Sequence, residues 1–98
     1  MDSALVWLID KYWEQEDFAR TAELETQLLQ SRRRTLGEED LAIPNTAFNL
    51  SITLTYLDRL EEAAQLAEEV LEKYRRLLGE DHEKTRKAIL LLNRLLES

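Results

Sequence analysis

Arg33-Arg34-Thr35-Leu36-Gly37-Glu38 is echoed 42 residues later by Arg75-Arg76-Leu77-Leu78-Gly79-Glu80. The frame shared by the two stretches extends backwards, because Ala22, Leu24 and Leu29 recur as Ala64, Leu66 and Leu71. Leu8, Leu50 and Leu92 carry the same register through three copies. Self-similarity at a fixed period of this length signals a stacked repeat, in which each unit buries its apolar face only against its neighbours.

Within a copy the apolar residues follow helical spacing. Leu5, Leu8 and Tyr12 fit i, i+3, i+7, and Leu24, Leu28 and Leu29 repeat that logic in the next segment. The polar break from Glu14 to Asp17 is short, so the two helices on either side must be antiparallel neighbours, and Asp58-Arg59 does the same later. Gly37 and Gly79 are expected to stop their helices in the left-handed cap conformation. Pro44 suits a first helical turn, where a missing N–H costs nothing. The expected helices lie near residues 3–14, 17–36, 43–57, 60–78 and 82–97. They form one domain over 1–98, with a first repeat at about 1–42, a second at about 43–84 and a closing helix at about 82–97.

Composition narrows the function classes. Hydrophobic residues make up 44% and charged residues 34%, with two Gly and one Pro, the balance of a helical globular chain. Thirteen basic against 20 acidic residues leave a net charge of −7, which repels a phosphate backbone and argues against nucleic acid. With no Cys there is no disulfide frame, thiolate metal site or cysteine nucleophile. Apolar runs such as Ala88 to Leu92 are too short for a membrane span. Met1 to Leu5 lacks the basic start of a signal peptide, so a cytoplasmic address is the default expectation.

The stretch from Asp58-Arg59-Leu60-Glu61-Glu62-Ala63 to Leu78-Gly79-Glu80-Asp81-His82 resembles the 42-residue tetratricopeptide repeat of kinesin light chains. Tyr12-Trp13-Glu14-Gln15 and Leu36-Gly37-Glu38-Glu39 resemble the version found in the sensor arrays of NLR-type signalling ATPases. The resemblance implies an all-α fold, a right-handed α-solenoid of antiparallel helix pairs with about two and a half repeats and five helices. Its inner helices would line a concave peptide-binding groove. Carried onto this sequence, that places Val6, Trp7, Asp10 and Trp13 beside Asn45, Phe48, Asn49, Ile52 and Tyr56, with Lys87, Leu91 and Arg94 at the far side. Aromatic anchors would supply burial, and Asn49 paired hydrogen bonds to an extended backbone. The alternative for Trp7, Trp13 and Phe48 is that they pack between hairpins. At the first packing position of the second helix, Ala63 keeps the family's small residue and Thr21 departs from it.

Other clusters read as structural. Arg32-Arg33-Arg34 and Arg75-Arg76 fall in last helical turns, where cations oppose the negative end of the macrodipole. Glu38-Glu39-Asp40 and Glu80-Asp81-His82-Glu83 lack the alternating ligands and central Gly of a calcium loop, and acids ahead of a helix complement its positive end. His82, the only histidine, has no glycine-flanked nucleophile with it, and Gly37 and Gly79 begin no phosphate loop. No metal, cofactor or catalysis is expected.

The expected function is therefore binding of a protein or peptide segment in the concave groove, as a scaffold or ligand-sensing part of a larger multidomain protein from which this chain looks trimmed. Ala88-Ile89-Leu90-Leu91-Leu92 and Leu95-Leu96 put apolar side chains on more than one face of the last helix, so something should cover it. A homodimer through helix 5 or the groove, acting as a self-assembly element, is the first alternative. A repeat scaffold designed for stability is the second, and unequal copies such as Thr21 against Ala63 argue against it.

Overall fold

The computed structural model describes residues 2–97. Among them the regular structure is five helices: α1 (Asp2–Glu14), α2 (Phe18–Thr35), α3 (Ala42–Tyr56), α4 (Leu60–Leu78) and α5 (Glu83–Glu97). The boundaries fall within one or two residues of those the repeat predicts.

Each helix packs against the next, and α3 also meets α5 directly. The molecule measures 33 × 33 × 19 Å, so its short dimension is that of two helix layers at about 10 Å each. This is an open helical solenoid, with α1, α3 and α5 in one layer and α2 and α4 in the other. α3 occupies the middle, and its sequence shows why: it carries no charged residue and buries Ile43, Pro44, Thr46, Ala47, Leu50, Ser51, Thr53 and Leu54. Its hydroxyls are satisfied locally. Thr46 and Thr55 donate to the carbonyls of Ala42 and Ser51 one turn back, and Ser51 donates across to the Ala63 carbonyl at 2.8 Å. The core continues through Ala63, Ala67, Val70 and Tyr74 of α4 to Ala88 and Leu95 of α5.

In α1 the buried face centres on Ile9, with Leu5 and Tyr12 half-buried. Leu8 is 37% exposed where its counterpart Leu50 is 4% exposed, because α1 lies along α2 and reaches α3 through the Trp13–Tyr56 contact at its end, whereas α3 is sandwiched between α2 and α4. Periodicity puts the two residues in one register, and only the number of neighbours separates them. Thr21 and Ala63 are both fully buried, and the Thr21 hydroxyl donates to the Asp17 carbonyl, so the larger residue enters the packing position without an unpaired polar atom.

The turns depart from expectation at one glycine. Gly79 ends α4 at φ 90° and ψ 164°, a region only glycine adopts freely, and its N–H bonds back to the carbonyls of Tyr74 and Arg75. Gly37 does not use the left-handed region, because α2 closes on Leu36 in an extended conformation. The left-handed residues of the short turns are instead Glu16 and Asp58, at φ 57° and 61°, again 42 positions apart. Neither glycine has a neighbour that an added Cβ would touch, so the two differ only in backbone strain. Gly79→Ala is expected to destabilise by about 1–3 kcal/mol while Gly37→Ala is neutral or slightly stabilising, as read by thermal unfolding.

The arginine runs do more than face a macrodipole. Arg32 donates to the Thr46 hydroxyl at 2.6 Å, Arg33 pairs with Glu69, and Arg76 pairs with Glu39 at 2.5 Å, so they tie α2 to α3, α2 to α4, and α4 to the loop between α2 and α3. The Arg76 partnership holds the Glu39 carboxyl below its usual range. Asp40 accepts the Ala42 N–H at 2.9 Å, and His82 Nδ1 accepts that of Lys84 at 3.0 Å, so both loop clusters serve as helix starts.

Candidate functional site

Three cavities run across the face shared by α1, α3 and α5. The first, of about 420 Å³, lies between α3 and α5 and brings Phe48, Ile52 and Tyr56 together with Lys87, Leu91 and Arg94. Six of the twelve groove residues expected from the sequence thus meet in one place, joined by Thr55, Leu90 and Leu95. Phe48 and Ile52 are half-buried, and Tyr56 is 62% exposed. Lys87 pairs with Glu83 at 3.2 Å on its own helix, which leaves it at the rim.

A second cavity, of about 330 Å³, lies further along α3 and is lined by Asn45, Phe48, Asn49, Tyr74, Lys84 and Lys87. Asn45 is committed to the scaffold here, since its side-chain oxygen accepts bonds from the Tyr74 hydroxyl and from Lys84 Nζ, the latter at 3.1 Å. Burial pushes the Tyr74 hydroxyl up to about 12, so it remains a donor at neutral pH. Asn49, one helical turn on, is exposed.

The third cavity, of about 220 Å³, lies between α1 and α3. Ile9, Asp10 and Trp13 form one wall, Asn49 and Ile52 the other, and Glu25 of α2 joins them. Asn49 and Ile52 each border two cavities, so the three spaces form one continuous surface across α3. Val6 and Trp7 border none of them. Trp7 is 59% exposed, and Lys11 Nζ sits 5.5 Å from its ring centroid.

Trp13 both packs and faces outward. Its ring meets Phe18 and Tyr56 edge to face at 5.3 and 5.5 Å, and Phe18 stacks on Tyr56 at 4.8 Å. This triad joins the end of α1 to the end of α3, yet Trp13 remains 39% exposed. Phe18 escapes a reading that looks only for first-helix positions.

Glu25 also escapes that reading. It is 5% exposed, and its Oε1 accepts the Thr53 hydroxyl at 2.6 Å. Removal from water pushes its carboxyl up to about 7, against the opposing pull of that hydrogen bond. The signal lay in the repeat: at an offset of 42, Glu25 falls on Ala67, which is fully buried. A carboxylate where the sister copy packs alanine is the kind of local exception that marks a functional or strained position.

Among the described residues no three His, Asp or Glu side chains gather to hold a metal ion, and no helix is long and apolar enough to cross a membrane.

An open solenoid of helical hairpins with a lined inner face is the architecture of a protein-interaction repeat. Residues 46–83, from within α3 to the start of α5, match the family model of the tetratricopeptide repeat. The match supports a repeat of that family in this stretch, and the family is one of protein–protein interaction modules with no general catalytic role. No curated protein matches the chain.

Proposed function

We propose that the face formed by α1, α3 and α5 binds a peptide segment of a partner protein, as a scaffold or sensing module of the long, 42-residue variety of the repeat found in kinesin light chains and NLR-type arrays. The observation that carries this reading is the continuity of the three cavities across α3. Phe48, Ile52 and Leu91 offer an apolar floor, Asn49 offers an exposed amide, and polar groups surround them, the usual composition of a peptide groove.

The test uses peptides selected from a random display library against the whole chain, measured by fluorescence anisotropy. Phe48→Ala should weaken binding about tenfold or more, and Asn49→Ala, at an exposed site with no fold to lose, at least about threefold. Failure to select any binder, or equal affinities for wild type and both variants, would contradict the reading.

A self-association reading draws on Leu90 and Leu96, which are 61% and 65% exposed on α5. Sedimentation of the same samples separates the two. Groove binding leaves the mass at 11.5 kDa, whereas self-association doubles it with rising concentration and loses that rise in Leu96→Lys.

A further inference from the structure

We propose that the cavity between α1 and α3 is a subsite for a basic side chain of the guest peptide, an ammonium or guanidinium group received by Glu25 and Asp10 beside the Trp13 ring. The proposal rests on the peptide-groove reading for the source of that side chain, and on separate observations for its chemistry.

Glu25 is more than nine-tenths buried, and among the described residues only one of its two oxygens has a partner, the Thr53 hydroxyl. The residue nevertheless borders the cavity. No side-chain polar atom sealed from solvent lacks a partner among the described residues, so the second oxygen keeps its access to the cavity, and the sister copy shows that alanine satisfies the same packing position. Thr53 is likewise peculiar to this place in the repeat, since 42 residues on its position is taken by Leu95. The Glu25–Thr53 pair is thus absent where the fold alone is served.

The surroundings suit a cation. Asp10 adds a second carboxylate from α1, and α3 contributes the Asn49 amide and no charge. No Lys or Arg borders the cavity. The nearby basic residues of the first hairpin are engaged elsewhere, Lys11 with Glu14 and the Trp7 ring, Arg20 with Asp17 and the Tyr12 ring. Trp13 supplies an aromatic surface of the kind that attracts ammonium and guanidinium groups. At about 220 Å³ the space equals roughly seven waters at ~30 Å³ each, room for the head of a lysine or arginine and its last methylenes. The chain's net charge of −7 draws basic peptides in from a distance.

The groove is therefore polar along its length, with carboxylates at the α1 end and Lys87 and Arg94 at the α5 end. That polarity gives a guest one preferred direction. A guest cation also favours the ionised form of Glu25, whose carboxyl sits at about 7, so its arrival near neutral pH releases a proton to solvent. Asp10 is the other titratable group lining the cavity, and α3 offers none.

The probe for the subsite alone is n-butylguanidinium chloride, titrated into the whole chain while the Trp13 indole and Asn49 carboxamide NMR resonances are followed, with neutral n-butyramide as the control. The expected result is a saturable shift of both resonances with the charged probe only. Glu25→Gln, which keeps the shape and the Thr53 bond, should weaken it at least tenfold, and Asp10→Asn about threefold. Equal response to the neutral probe, or unchanged affinity in Glu25→Gln, overturns the subsite. Peptide selection reads the groove separately: binders that lie along α3 and α5 but carry no basic residue also overturn the subsite and leave the groove standing. Retained butylguanidinium binding without any peptide binder overturns the groove and leaves the cation site.

Discussion

Glu25→Gln is expected to be more stable than wild type at pH 8, by an amount on the order of 3 kcal/mol, and indistinguishable from it at pH 4. The folded carboxyl titrates near 7 instead of 4.5 because burial strips its water. The sign follows from proton counting. Between about pH 4.5 and 7 the folded state holds a proton that the unfolded state has lost, so this group's contribution to stability is complete below 4.5 and disappears as pH rises through 7. Each tenfold difference in proton affinity is worth about 1.4 kcal/mol. Glutamine is neutral throughout and can either accept from Thr53 or donate to it, with the Thr53 hydroxyl then turning to the Asn49 carbonyl 3.1 Å away. Exposed carboxyls such as Glu39 and Glu62, held low by Arg76 and Arg59, act in the opposite direction, but they are common to both proteins and cancel. Urea titrations at pH 4, 6 and 8 would show the two curves diverging only above pH 4.5. Parallel curves across that range would mean that Glu25 is ionised at no cost and that its burial carries no penalty to explain.

Leu50→Ala is expected to cost about 2–5 kcal/mol, a large share of the roughly 5–15 kcal/mol that holds a domain together. Leu50 is 4% exposed within the cluster that joins Leu29 and Ala22 of α2 to Val70 of α4, so its loss opens a void where the two hairpins meet. The same truncation at Leu8, in the same register one copy earlier, should cost about 1 kcal/mol, because that side chain already keeps over a third of its surface in water. Thermal unfolding followed by circular dichroism reads both. Equal losses would mean that α1 is covered as fully as α3.

The contrast between Leu8 and Leu50 also marks how far the sequence could be read. A repeat reports which residues share a register, and from it the five helices, their order and the open stack are all legible. It does not report how many neighbours each copy has, and exposure is set by neighbours. The glycines show a similar limit: Leu36-Gly37 and Leu78-Gly79 are identical pairs, but α2 closes on an extended Leu36 and only Gly79 takes a positive φ. Of the inner-face set that the resemblance implies, Phe48, Ile52, Tyr56, Lys87, Leu91 and Arg94 do line one cavity. The same set fits less well at Asn45, whose carboxamide is spent on Tyr74 and Lys84 from two other helices, and at Val6 and Trp7, which line none of the three cavities. Glu25 sits on a second helix, outside the set that the inner-face rule examines. Comparison of the copies at Glu25 and Ala67 would have exposed it, because a charge opposite an alanine in register is conspicuous without any coordinates.

The inner face of α1, α3 and α5 as an open wall for a guest is tested most directly by mapping a selected peptide on the amide NMR spectrum of the intact chain. The expected perturbations cluster on Asp10 and Trp13 of α1, Asn49 and Ile52 of α3, and Lys87 and Leu91 of α5, with α2 and α4 undisturbed on their outer faces. Perturbations confined to the outer faces of α2 and α4 would contradict it.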